Sequence, residues 1–192
     1  GGLFANTLLA NMKVAVQVGK TVCVHAGLTK EHLDKWGGLK GINKMAHDYI
    51  QEAHHGCNNN IGAYETVDQV MEEAQHRAKS AKLPPCLGGG VGGDTPVWMR
   101  DYSSPANYPS TAVRMMDDVL HELQADRMVM GHTVQDQINA ALQGRAWRID
   151  VGASSGVMSG TPEVLEVVRD GNEEIVSVLT RAQGRVPAAE RL

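Results

Sequence analysis

Cysteine, long apolar runs and clustered positive charge are all scarce in this sequence, and each shortage removes a class of function. The three cysteines, Cys23, Cys57 and Cys86, are widely spaced and odd in number. They support neither a disulfide framework nor a cysteine-type zinc knuckle, and the expectation is a reducing intracellular compartment, the cytosol or an organelle such as a chloroplast. No apolar run approaches the roughly 18 residues that a membrane-crossing helix needs. Lys and Arg form no block and the net charge is only −4, so nucleic-acid binding has no electrostatic basis. An initiator Met, a signal peptide and a transit signature are also lacking: the chain opens Gly1-Gly2 and runs directly into LFANTLLANMKVAVQVG. A start of that kind reads as the later portion of a longer protein.

What is present is enough for one ordinary domain with a core: 192 residues, 42% hydrophobic and 21% charged. Leu3, Leu8, Leu9, Met12 and Val16 fall at helix-like spacing and predict a helix over 3–17. KTVCV (20–24) is β-branched and apolar, a buried strand. TKEHLDKWG predicts a short helix with Thr29 as N-cap and its end near Gly37. A longer amphipathic helix follows, stopping at Gly56, and another is expected over 65–81. Residues 82–109 are dense in Gly and Pro and read as a long functional loop. A helix over 110–125 leads into the strand RMVM, then INAALQGR as a turn or short helix. AWRIDVGA, EVLEVVRDG and EEIVSVL read as strands, the last two as a hairpin about Asp170-Gly171-Asn172. Early alternation and late clustering of strands favour a layered α/β domain.

Three pattern matches fail on context. GGGVGG (88–93) has no strand before it and no helix after it, which a dinucleotide loop requires. GASSG (152–156) would need a histidine later in the chain, and none occurs after His132. HELQA (121–125) puts Ala125 where a zincin helix has its second histidine. His32, His47, His54, His55, His76 and His121 read as solvated.

Two junctions survive. Val22-Cys23-Val24 runs into His25 and Ala26-Gly27; Met128-Val129-Met130 runs into Gly131 and His132. A histidine directly after a buried strand sits on a stiff support, and imidazole suits Zn, Fe and Mn. The flanking small residues are expected to clear room for a ligand. Read singly, each histidine divides evenly between core residue and metal ligand; the repeated local grammar favours the metal. Arg100, in PVWMRDY after the Gly-rich loop, can present a planar fork to a phosphate, although locally it reads as readily as a surface arginine paired with Asp94 or Asp101.

Taken in order, TVCVHAGL, PVWMRDY, VMGHTVQ and RIDVGASSG resemble the calcineurin-like metallophosphoesterases, within them the bacterial-type phosphoprotein phosphatases and most nearly the Shewanella-like protein phosphatases. The resemblance implies an α/β fold, the C-terminal part of a β-sandwich flanked by helices (α/β/β/α layers), over residues 1–180, with 181–192 as a loose tail. It implies His25 and His132 as metal ligands in a centre of two divalent ions (Mn, Fe or Zn), Arg100 as the grip on the substrate phosphate, and Asp150 as a neighbour of the site. The family's earlier motifs, G-D-x-H-G, G-D-x-x-D-R-G and G-N-H-E, do not occur here. They carry the bridging aspartate and the acid histidine, so this chain alone is expected to be inactive. The missing half would come from the same protein or a completing chain. The expected function of the whole is phosphoprotein hydrolysis. The alternatives are a non-catalytic scaffold within a larger assembly and a dinucleoside polyphosphate hydrolase.

Overall fold

The computed structural model describes residues 7–58, 66, 68–69, 83–90, 93–103, 110–171 and 173–192. A five-stranded sheet has the order β1-β2-β3-β5-β4, with β1 Ala15–Val18, β2 Thr21–Val24, β3 Arg127–Met130, β4 Asn139–Ala141 and β5 Ala146–Arg148. β2, β3 and β5 are parallel, and the edge strands β1 and β4 are antiparallel to their neighbours. Among the described residues three α-helices accompany it: α1 Lys30–Trp36, α2 Gly38–Asn58 and α3 Ala112–Leu123. A second sheet is the antiparallel meander β6 Glu163–Asp170, β7 Glu173–Thr180 and β8 Gly184–Pro187.

Strand alternation sorts the core into two clusters. Val22, Val24, Met128, Met130 and Ala146 point to one face and pack with Leu33, Trp36, Ile42, Met116 and Leu120 of the helices. Cys23, Val129 and Trp147 point the other way, against Leu165, Val176 and Val178 of the second sheet. The result is a mixed α/β fold with helices over one sheet face and a second sheet against the other. An open cleft of about 540 Å³ remains between the sheets, lined by Val18, Cys23, Ile149, Val164, Leu165 and Val167 among others. Its lining includes none of the candidate residues His25, Arg100 and His132.

Local signals specify α1 well. Thr29 caps it, its hydroxyl accepting from the His32 N–H, and Gly37 ends it in the left-handed conformation, φ 75°. The β6–β7 hairpin is also as expected, with Asp170 facing Glu173 across Gly171.

Other expectations give way to tertiary pairing. The helix expected over 3–17 is, from residue 7 onward, a 3-10 turn at Leu9–Asn11 followed by β1. Gly19, φ 58°, supplies the first position of a two-residue hairpin turn and folds β1 back on β2. Asn43 of α2 then occupies the free edge, accepting from the N–H groups of Val14 and Ala15 and donating to the Ala15 carbonyl. INAALQGR is no helix: it pairs with β5 as β4 and turns through Leu142, Gln143 and Gly144, all at positive φ. The loose tail is corrected as well. Val186 is buried on β8, paired with Val178, and Arg191 is buried against Glu163. Its polar composition concealed one apolar anchor and one ion pair. The α2 helix continues through Gly56 to Asn58. The helix expected over 65–81 lies almost wholly outside the described residues.

Candidate active site at the strand ends

Parallel pairing puts Val24 opposite Met130, and Met130 opposite Arg148. The residues that follow each strand, His25, Gly131-His132 and Ile149-Asp150, therefore emerge at one edge. Pairing persists one step further: the Gly131 N–H donates to the His25 carbonyl at 2.8 Å, and the Ile149 N–H to the Met130 carbonyl at 2.8 Å.

At that edge the chain reverses. The Thr133 N–H donates to the Gly131 carbonyl at 2.8 Å, closing a three-residue turn about His132. His132 sits at φ 68°, the uncommon positive form of such a turn. The reversal brings its ring to His25: Nε2 of His25 and Nδ1 of His132 are 3.1 Å apart, with ring centroids at 4.9 Å. Trp98 meets the His132 ring edge-on at 5.6 Å. Nε2 of His132 is buried with no hydrogen-bond partner among the described residues. Burial, then the charge of Arg100 and the proximity of His25, hold the His132 imidazole below its ordinary pKa, which keeps it neutral.

Arg100 arrives on a loop docked against the segment after His25. The N–H groups of Ala26 and Gly27 donate to the Pro96 carbonyl at 2.9 and 3.3 Å, and the Tyr102 hydroxyl donates to the Leu28 carbonyl at 3.0 Å. Met99 and Tyr102 fill the space over Gly27, where an added Cβ would stand 2.9 Å from the Met99 sulfur and 3.1 Å from the Tyr102 ring. Gly27 thus admits the Arg100 loop rather than a ligand. At Gly131 an added Cβ would meet nothing closer than 3.6 Å.

Arg100 Nη1 donates to Thr133 Oγ1 at 2.7 Å, and Ser103 Oγ lies 2.7 Å from the same hydroxyl. Buried Gln135 ties these pieces together. Its side-chain amide donates to the carbonyls of Ser103 and Thr133, and its N–H donates to the Asp150 carbonyl. The Asp150 carboxylate accepts from the Gly152 N–H at 3.0 Å, which makes it a turn former beside the site. The three predicted residues His25, Arg100 and His132 converge. Trp98, Ser103, Thr133 and Gln135 were missed, although each lies within or beside the motif of a predicted residue.

Two ring nitrogens on rigid supports can share one ion. Imidazoles bound at about 2.0–2.1 Å, at angles from square to tetrahedral, place their nitrogens roughly 2.9–3.4 Å apart, and the pair here falls inside that range. The donor set is incomplete: among the described residues no group of three or more His, Cys, Asp or Glu side chains is arranged to hold a metal. His32, expected to be solvated, is instead buried and bonded to Asp94, whereas His47 and His121 are exposed as expected.

The fold is that of solved protein tyrosine phosphatase structures. One, the cold-active protein-tyrosine phosphatase of a psychrophilic Shewanella species, is 18% identical with a TM-score of 0.60, covering 94% of this chain and 44% of that one. A second structure of a cold-active protein tyrosine phosphatase aligns at 17% identity and TM-score 0.58, over 93% of this chain and 43% of the other. In sequence the chain is similar to Shewanella-like protein phosphatase 2 of Arabidopsis thaliana, 32% identical over 180 residues. The likeness to the Shewanella-like protein phosphatases, first visible in four short motifs, thus spans 92% of this chain, which is 38% of the length of that relative. No protein-family model matches the chain.

Proposed function

We propose that this chain is the later part of a metal-dependent phosphoprotein phosphatase of the Shewanella-like kind, a calcineurin-like metallophosphoesterase whose two sheets form the heart of an α/β/β/α sandwich. The observation that carries the reading is the facing pair His25 Nε2 and His132 Nδ1 at 3.1 Å, with Arg100 held beside it through Thr133. His25 and His132 are the residues that would hold one divalent ion, Mn, Fe or Zn. Such ions supply Lewis acidity and lower the pKa of water toward neutrality.

The chain's own residues do the rest. The depressed basicity of His132 keeps a lone pair available near neutral pH. Arg100 offers a fork of donors to the equatorial oxygens of a phosphate, and its charge stabilises what develops there in the transition state. Ser103 and Gln135 restrain Thr133, so Arg100 is presented in one place. Trp98 packs edge-on against the His132 ring and helps fix its orientation. A bridging carboxylate and the second ion's ligands are proposed to lie in sequence preceding residue 1, in keeping with the 38% share of the relative that this chain spans. The substrate class follows from the names of the relatives, which are protein phosphatases.

The test is metal analysis of the full-length protein. A dimetal enzyme holds about two ions per chain; His25→Ala and His132→Ala should each lower the content by about one ion, and phosphatase turnover should fall at least about a hundredfold. A wild-type content below one ion per chain would sink the enzyme reading in favour of a scaffold.

A further inference from the structure

We propose that His32 and Asp94 form a latch that positions Arg100. The latch has three parts. His32 is the third residue of α1, 3% exposed, and its ring stacks on Trp36 with centroids 5.1 Å apart. Its Nδ1 accepts from the Thr29 N–H at 3.3 Å while its own N–H donates to the Thr29 hydroxyl at 3.2 Å, a reciprocal cap that uses histidine where glutamate or glutamine is usual. With Nδ1 committed as an acceptor, the ring proton sits on Nε2, which donates to Asp94 Oδ1 at 3.1 Å.

Asp94 is the start of the loop that delivers Arg100. Directly after it, buried Thr95 donates from its hydroxyl to the Gly88 carbonyl, and its own carbonyl accepts from the N–H groups of Trp98 and Met99. Pro96 then takes the two N–H groups after His25, and Arg100 follows. The helix cap on one side and the phosphate-gripping turn on the other are joined through one imidazole. A glutamate at this position would complete the cap without that bond, having no N–H to give Asp94. His32 is a positioning residue: it touches neither the paired histidines nor Arg100, and it acts by holding the near end of their loop. Asp94 is 80% exposed in its side chain, so nothing about burial requires it to turn inward.

The consequence for phosphate rests on the role proposed for Arg100, so the experiment separates the two. In the full-length protein, Asp94→Ala removes the acceptor without touching the core. Amide exchange at Trp98 and Met99 should accelerate roughly tenfold, the scale of one lost hydrogen bond. The dissociation constant of inorganic phosphate should rise by a similar factor with metal content unchanged. His32→Gln, whose amide can both accept from Thr29 and donate to Asp94, should restore wild-type behaviour. His32→Glu, which keeps the cap but sets a carboxylate against Asp94, should behave like Asp94→Ala. Unaltered exchange in Asp94→Ala overturns the latch; faster exchange with unaltered phosphate affinity overturns its positioning role. Arg100→Ala is the control: if it binds phosphate as wild type does, the phosphatase reading fails, and the exchange data still decide the latch.

Discussion

His132 holds a backbone conformation, φ 68°, that a residue with a Cβ adopts at a cost of about 1–2 kcal/mol. Strain of that kind persists where surrounding contacts impose it. Here the turn to Gly131, the contact with Trp98 and the approach to His25 supply them. His132→Gly should therefore be more stable than His132→Ala by about 1 kcal/mol, which chemical denaturation checks; on the proposed function both variants lose metal, which metal analysis reads. Gly27 makes the complementary case. Gly27→Ala forces a Cβ into Met99 and Tyr102, which should cost about 1–3 kcal/mol and weaken phosphate binding by shifting Arg100. Equal phosphate affinity in that variant would show that the loop accommodates the methyl elsewhere. The candidate residues themselves were legible because a histidine after an apolar strand is a local pattern. The actual work of the glycines was not, since it depends on which side chain lies opposite.

At the scale of elements, α1 was readable to within a residue because its start and stop are written in adjacent positions, Thr29 and Gly37. Its cap also predicts a pH response. Burial holds the His32 imidazole below its ordinary pKa, against the opposing pull of Asp94 and Glu31. The unfolded chain takes up this proton near pH 6.5, the folded chain only at lower pH. Between those values the unfolded state binds more protons, so stability falls as pH drops through about 6.5 and the loss levels off below the folded pKa. Urea unfolding of wild type and His32→Gln between about pH 7 and pH 5 should show a shallower loss in the variant; parallel curves would remove His32 from the account. β1 and β4 were misread for the opposite reason. Their short runs carry Ala and Gln, residues at home in helices, and only pairing with a neighbour makes them strands.

The molecule as a whole is two apolar clusters on either side of one sheet, closed at the far end by the C-terminal segment. Arg191 and Glu163, both nearly buried, join that segment to the start of β6, and Glu163 also accepts from the Ile138 N–H. Arg191→Ala leaves the carboxylate buried without its cation and should lower stability by about 3 kcal/mol, measured by denaturant unfolding; a change below about 0.5 kcal/mol would mean the end of the chain is dispensable. No helix among the described residues is long and apolar enough to cross a membrane. Composition, apolar periodicity and capping residues pointed to a mixed α/β fold and to the strands at its centre, and strand-to-histidine junctions singled out the two histidines as candidates, because each depends on neighbours a few positions away. The meeting of His25 with His132, separated by 107 positions, and the delivery of Arg100 to them followed from parallel register and from a loop packed over Gly27. Those contacts are non-local: they form only once chain closure has been offset by burial across the whole sheet, and no short window of residues records that balance.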